Sequence, residues 1–189
     1  MKNFIVNQIG ESITTKKLVL DKCVKKIQDA SLLMIDTIKS KNKILWCGNG
    51  GSAADAQHLS TELMGGMGNF DRKPIPSIAL TTDSSFLTAW SNDNDFSSIF
   101  SRQIQGLGSP NDLLVAITTS GNSENIINAI KQAKYKNLKT IVLTGLDGGK
   151  INNLADITIN VPSKNTQRIQ ESHIMIGQIL CELLEKNIV

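Results

Sequence analysis

No apolar run in this chain approaches the ~18 residues that a membrane-spanning helix needs. Met1 to Glu11 contain no hydrophobic signal core either. Cysteine is scarce. Cys23, Cys47 and Cys181 are far apart, odd in number, and never arranged as Cys-x-x-Cys. That speaks against a disulfide framework and for a cytoplasmic protein with reduced thiols. Strong charge of one sign is also missing, with a net charge of +3. The densest basic pairs, Lys16-Lys17 and Lys25-Lys26, read as solvated helix faces rather than a nucleic-acid stripe. No internal repeat or low-complexity segment stands out. What is present is 189 residues, 40% hydrophobic and 20% charged. That is the composition of one globular domain able to bury a core.

The chain is organised around Lys43 to His58. A short apolar run, Ile44 to Cys47, breaks on Gly48, Gly50 and Gly51 and resumes as a run of helix formers to Met64. The pattern predicts strand, tight turn, helix, with Ser52 as N-cap. Such a turn frees backbone N–H groups at a helix N-terminus, where an anion is favoured. An ordinary turn between strand and helix is the competing reading. No Lys-Ser/Thr pair follows the glycines, so this is not a Walker A loop. The spacing is not G-x-G-x-x-G, which weakens dinucleotide binding.

Around this stretch, residues 3–40 read as two amphipathic helices. Strands are expected at 77–81, 113–117, 140–144 and 157–161. Helices are expected at about 84–90, 96–107, 123–135 and 166–186. Ser91 to Asp95 read as a polar break between two of them. Strands alternating with helices predict an α/β fold with a parallel sheet. In such sheets ligands bind beyond the carboxyl ends of the strands. Three of those ends are polar here: 48–52, 82–84 and 118–123.

Thr118 to Ser123 put four hydroxyl residues, a Gly and an Asn between a buried strand and a helix start. Hydroxyls and free N–H groups there can hold a phosphate, or Ser120 or Ser123 can simply cap the helix. His58 and Glu62 are one helical turn apart and share a face. They can bind zinc, move a proton, or hydrogen-bond to each other. Gln170 and Gln178 sit about 80° apart around the last helix, among apolar residues, and need polar partners.

Taken together, Cys47-Gly48-Asn49-Gly50-Gly51-Ser52, Asp55-Ala56-Gln57-His58-x-x-x-Glu62, Asn92-Asp93, Thr118-Thr119-Ser120-Gly121-Asn122-Ser123, Leu143-Thr144-Gly145 and Arg168-Ile169-Gln170-Glu171 resemble the bacterial phosphoheptose isomerases, which are sugar isomerase (SIS) domain proteins. The resemblance runs in order over nearly the whole chain. It implies a three-layer α/β/α fold, a flavodoxin-like doubly wound five-stranded parallel sheet. The whole of 1–189 would form one domain, with helices 3–40 packing on it and at a subunit interface of a homotetramer. It also implies aldose–ketose isomerisation of sedoheptulose 7-phosphate to D-glycero-D-manno-heptose 7-phosphate, for lipopolysaccharide or surface heptose, with zinc bound.

Carried over by position, Asn49, Gly50, Gly51, Ser52, Glu62, Asn92, Asp93, Thr118, Thr119, Ser120, Ser123 and Gln170 match sugar-phosphate contacts. His58, Glu62 and Gln170 match metal ligands, and Glu62 also matches the proton-transferring carboxylate. Gln178 stands where the family usually has a His that ligates zinc and serves as second acid–base group. Gly66 stands where an Arg is common. An amide has no titratable proton near neutrality and is a poor zinc ligand. The rival reading is a catalytically weak or inactive member, similar to the SIS-domain group that binds the bacterial replication initiator. That group also lacks the second His but does not keep Glu62. A phosphosugar-binding regulator is a third reading.

Overall fold

The computed structural model describes residues 1–188, so position 189 of the expected single domain lies outside the described residues. Two helices lead, α1 (Lys2–Lys22) and α2 (Val24–Lys39). Then come β1 (Ile44–Gly48), α3 (Gly51–Gly65), β2 (Ser77–Ala79), α4 (Ser84–Asp93), α5 (Ile99–Leu107), β3 (Leu113–Ile117), α6 (Glu124–Tyr135), β4 (Lys139–Thr144), β5 (Ile157–Asn160) and α7 (Thr166–Ile188). The sheet order is β2-β1-β3-β4-β5. Every pairing is parallel. This is the flavodoxin-like arrangement, and it places the topological switch point between β1 and β3.

Alternate side chains of each strand serve opposite layers, as the period of two requires. Ile44 and Trp46 of β1, with Leu113, Val115 and Ile117 of β3, pack under α2, α3 and α7. Leu45, Cys47, Leu114 and Ala116 pack under α5 and α6. Both faces of the sheet are covered, which explains the unbroken apolar runs. α3 and α7 run side by side in the same direction. A Cβ on Gly51 would lie 3.1 Å from the Gln170 amide nitrogen, and one on Gly177 would lie 2.3 Å from Leu59. Only glycine lets the two helices come so near at that second point.

Three expected boundaries move. Ser52 is not the cap of α3. Gly50 takes that place, because its φ of 56° and ψ of −121° make a reversal that a side chain would resist. Ser52 lies inside the first turn, and its N–H donates to the Asn49 carbonyl. The polar break at 91–95 is helical as far as Asp93. Asp83 starts this helix by accepting from the Phe86 N–H at 3.0 Å, and stacking of Phe86 on Trp90 ties its two turns together. The helix expected at 96–107 divides into a 3-10 turn, Phe96–Ser98, and α5.

Candidate active site

The loops after β1 and β3 flank the switch point, and a reciprocal amide pair joins them. Asn49 donates to Asn125 Oδ1 at 2.9 Å, and Asn125 donates back to Asn49 Oδ1 at 2.8 Å. Asn125 is buried on α6. The sequence reading missed it, because a polar residue in the first turn of an amphipathic helix carries no signal of a partner 76 positions away. A small cavity opens beside the pair, lined by Asn49, Ser52, Thr118, Thr119, Ser123 and Gln170. Six residues expected at the site from three separate elements thus meet there.

The capping reading of the hydroxyl loop does not hold. Ser123 occupies the N-cap position of α6 but makes no side-chain cap hydrogen bond. Its hydroxyl has only Thr118 Oγ1, at 3.5 Å. Ser120 accepts from the Asn122 N–H at 3.2 Å, which shapes the loop and leaves α6 uncapped. Hydroxyls left free beside the start of a 12-residue helix fit an anion's oxygens.

The second part of the site is on α3, two turns beyond Gly51. His58 Nε2 and Glu62 Oε1 are 2.9 Å apart. Glu62 Oε2 is buried and has no hydrogen-bond partner among the described residues. An orphaned, buried carboxylate oxygen is costly unless a ligand or proton completes it. The Gly51–Gln170 and Leu59–Gly177 contacts fix the register of α3 on α7, so Gln178 lies level with His58 and Glu62. His58 and Glu62 do not line the hydroxyl cavity. The site is therefore two adjoining parts linked along α3, with Gln170 at one end and Gln178 at the other.

The expected zinc ligands supply one imidazole and one carboxylate with a spare oxygen, and otherwise amides. No group of three His, Cys, Asp or Glu suited to a metal occurs among the described residues. This donor set fits zinc only weakly. Asn92 and Asp93 hydrogen-bond to each other at the exposed end of α4, and no described hydrogen bond links them to either loop. α4 has no buried residue.

His173 is fully buried on α7 and cannot replace the missing ligand. Its Nε2 is 3.1 Å from the Thr144 carbonyl, and burial holds its pKa down to about 4 despite that bond. Cys181, beneath Glu62, is an inert thiol: burial, with the Glu62 charge second, pushes its pKa well up.

The SIS domain family model matches residues 10–145. The phosphoheptose isomerase of Sulfurimonas denitrificans is 48% identical over all of this chain and 97% of its own length. That of Clostridium acetobutylicum is 45% identical over all of this chain and 96% of its own. Among solved structures, the phosphoheptose isomerase of Neisseria gonorrhoeae superposes with a TM-score of 0.93, at 41% identity, over 98% of each chain. A fold and a site at this switch point, with these relatives, define a class. The chain belongs to the SIS-domain family, in its phosphoheptose isomerase branch. It is an enzyme of the isomerase type.

Proposed function

We propose that this chain interconverts sedoheptulose 7-phosphate and D-glycero-D-manno-heptose 7-phosphate. The product would feed lipopolysaccharide or surface-heptose synthesis in the cytoplasm. The observation that carries the reading is the joining of an uncapped hydroxyl loop to a carboxylate with a vacant buried oxygen. The loop takes the phosphate, and Asn49, Gly50, Gly51, Ser52 and Gln170 border the sugar. Glu62 then removes a proton from C1 of the ketose and returns it to C2 of the enediol. The hydroxyl proton on O1 leaves as O2 gains one, which gives the aldehyde at C1.

His58 and Glu62 would hold zinc; Gln170, which lies beside Gly51 in the other part of the site, would join them only by swinging along α3, and Gln178 would be a poor further ligand. When bound, the ion supplies positive charge to the developing enediolate oxygen. Homotetramer assembly belongs to the same reading. Phe4, Ile5, Val6, Ile9 and Ile13 of α1 are exposed, and Val6, Ile9 and Ile13 share a face suited to a second copy. Exposed α4 would bring Asn92 and Asp93 to a neighbouring subunit's site.

The test is incubation of the pure protein with sedoheptulose 7-phosphate, with and without zinc, and assay for the aldose. Formation of the aldose is the expected result. Sugar-phosphate binding with no turnover under any metal would overturn the isomerisation and leave a binding protein.

A further inference from the structure

The chain carries a buried ion pair that the chemistry above does not use. The Arg72 side chain is 1% exposed, and its Nε donates to Glu185 Oε2 at 2.7 Å. Arg72 Nη1 donates to the Lys73 carbonyl and Nη2 to the Glu62 carbonyl, both at 2.9 Å. Glu185 also accepts the backbone N–H of Met67 at 3.0 Å and those of Gly68 and Asn69 at 3.1 Å. Burial alone would raise the Glu185 pKa, but these donors and the guanidinium hold it at about 2.

The geometry joins three pieces of chain. Glu185 is near the end of α7, and Met67 to Asn69 form the exit from α3. The Glu62 carbonyl is in the last turn of α3, where it also accepts the Gly66 N–H at 2.9 Å. Terminal turns fray unless their carbonyls are held, and a cation there suits the helix dipole. We infer that Arg72 and Glu185 are positioning residues that lock the turn carrying Glu62 against α7, so that its carboxylate stays beside His58 and level with Gln178. The link to turnover rests on the isomerase reading above; the link to the placement of Glu62 does not.

The experiment uses Glu185→Gln, which keeps shape but removes charge, and Arg72→Lys. One ammonium cannot span Glu185 and both carbonyls as the guanidinium fork does. The chain has two histidines, so their ring resonances in NMR are readily told apart. Both variants are expected to shift the His58 ring resonances and leave those of buried His173 in place. With sedoheptulose 7-phosphate, kcat should fall about 10- to 100-fold. KM, and inhibition by inorganic phosphate, should stay within about twofold, because the hydroxyl loop is remote from the clamp. Ile104→Val, in the opposite core layer, controls for general loss of stability and should leave kcat unchanged. If one variant fails to fold, the other decides. Unmoved His58 resonances would overturn the inference, as would equal losses in kcat and phosphate binding. A parent with no turnover would sink the isomerase reading, and the His58 resonances would still decide the clamp.

Discussion

Gln178 lies on α7 level with the His58–Glu62 pair, where an amide can neither accept nor release a proton near neutrality. In the proposed zinc site one imidazole would therefore remain, and the proposed reaction would be one proton carrier short. Gln178→His is expected to raise zinc occupancy, measured by metal analysis after dialysis, and turnover with it. Positioned acid–base groups contribute about 10²–10⁴-fold, which bounds the gain. Brisk turnover by the zinc-loaded parent, with no gain in the mutant, would show that Gln178 is no handicap. Ser120 belongs to the hydroxyl loop proposed to take the phosphate, although it lines a neighbouring cavity with Thr119, Asn122 and Gly145. Ser120→Ala should weaken sugar-phosphate binding by about 1.5–3 kcal/mol, the value of a hydrogen bond to a charged group. Calorimetry showing equal affinity would refute that role.

At the level of elements, the two central strands were legible because residues 44–47 and Leu113–Ile117 are unbroken apolar runs bounded by polar turns. Leu113–Ile117 lies where the sequence places it. The hydroxyl loop was legible as a site because its composition is unusual. Two kinds of feature were not legible. Gly50 displaces Ser52 as cap because a backbone dihedral decides the turn, and side-chain preference does not report it. The Arg72–Glu185 pair spans 113 positions, and only the packing of α7 on α3 creates it.

α7 also sets a pH response. His173 stays neutral in the fold with a pKa near 4, so between pH 6.5 and 4 the unfolded chain binds the extra proton. Stability falls as pH drops through that window. Glu185, lowered from 4.5 to about 2, extends the loss through the next window in the same direction. Urea unfolding at pH 7 and pH 5 should show the decline. His173→Gln should flatten it, whatever its own cost at pH 7. The His173 share at full development is about 2–4 kcal/mol. A parent equally stable at both values would contradict this account.

For the whole molecule, the exposed apolar residues of α1 are the feature on which the proposed assembly rests. The polar side of the helix is held to α7: Arg168 donates to the Gln8 carbonyl, and Ser12 donates to Glu171 at 2.7 Å. Its apolar side is thus presented outward in a fixed orientation. Light scattering at micromolar concentration should give the mass of a tetramer. Polar replacement of Ile9 and Ile13 together should lower it. A monomeric parent would refute the assembly.

The packing of α7 against α1, α2 and α3 also has a consequence for the order in which the chain is made. Translation delivers α1, α2 and α3 long before the helix that covers them. Until α7 emerges, Val19, Ile27, Met34, Leu59 and Leu63 lack the wall formed by Ile176, Leu180 and Leu184. β1 likewise waits for β3, because Ile44 pairs with Leu113. The nascent chain is thus a long-range assembly held open on the ribosome, with its apolar layer exposed for most of synthesis. This timing leaves that apolar surface uncovered until the last helix is made. The same late helix delivers Gln170 and Gln178, so a complete site cannot exist on a chain that has not finished folding.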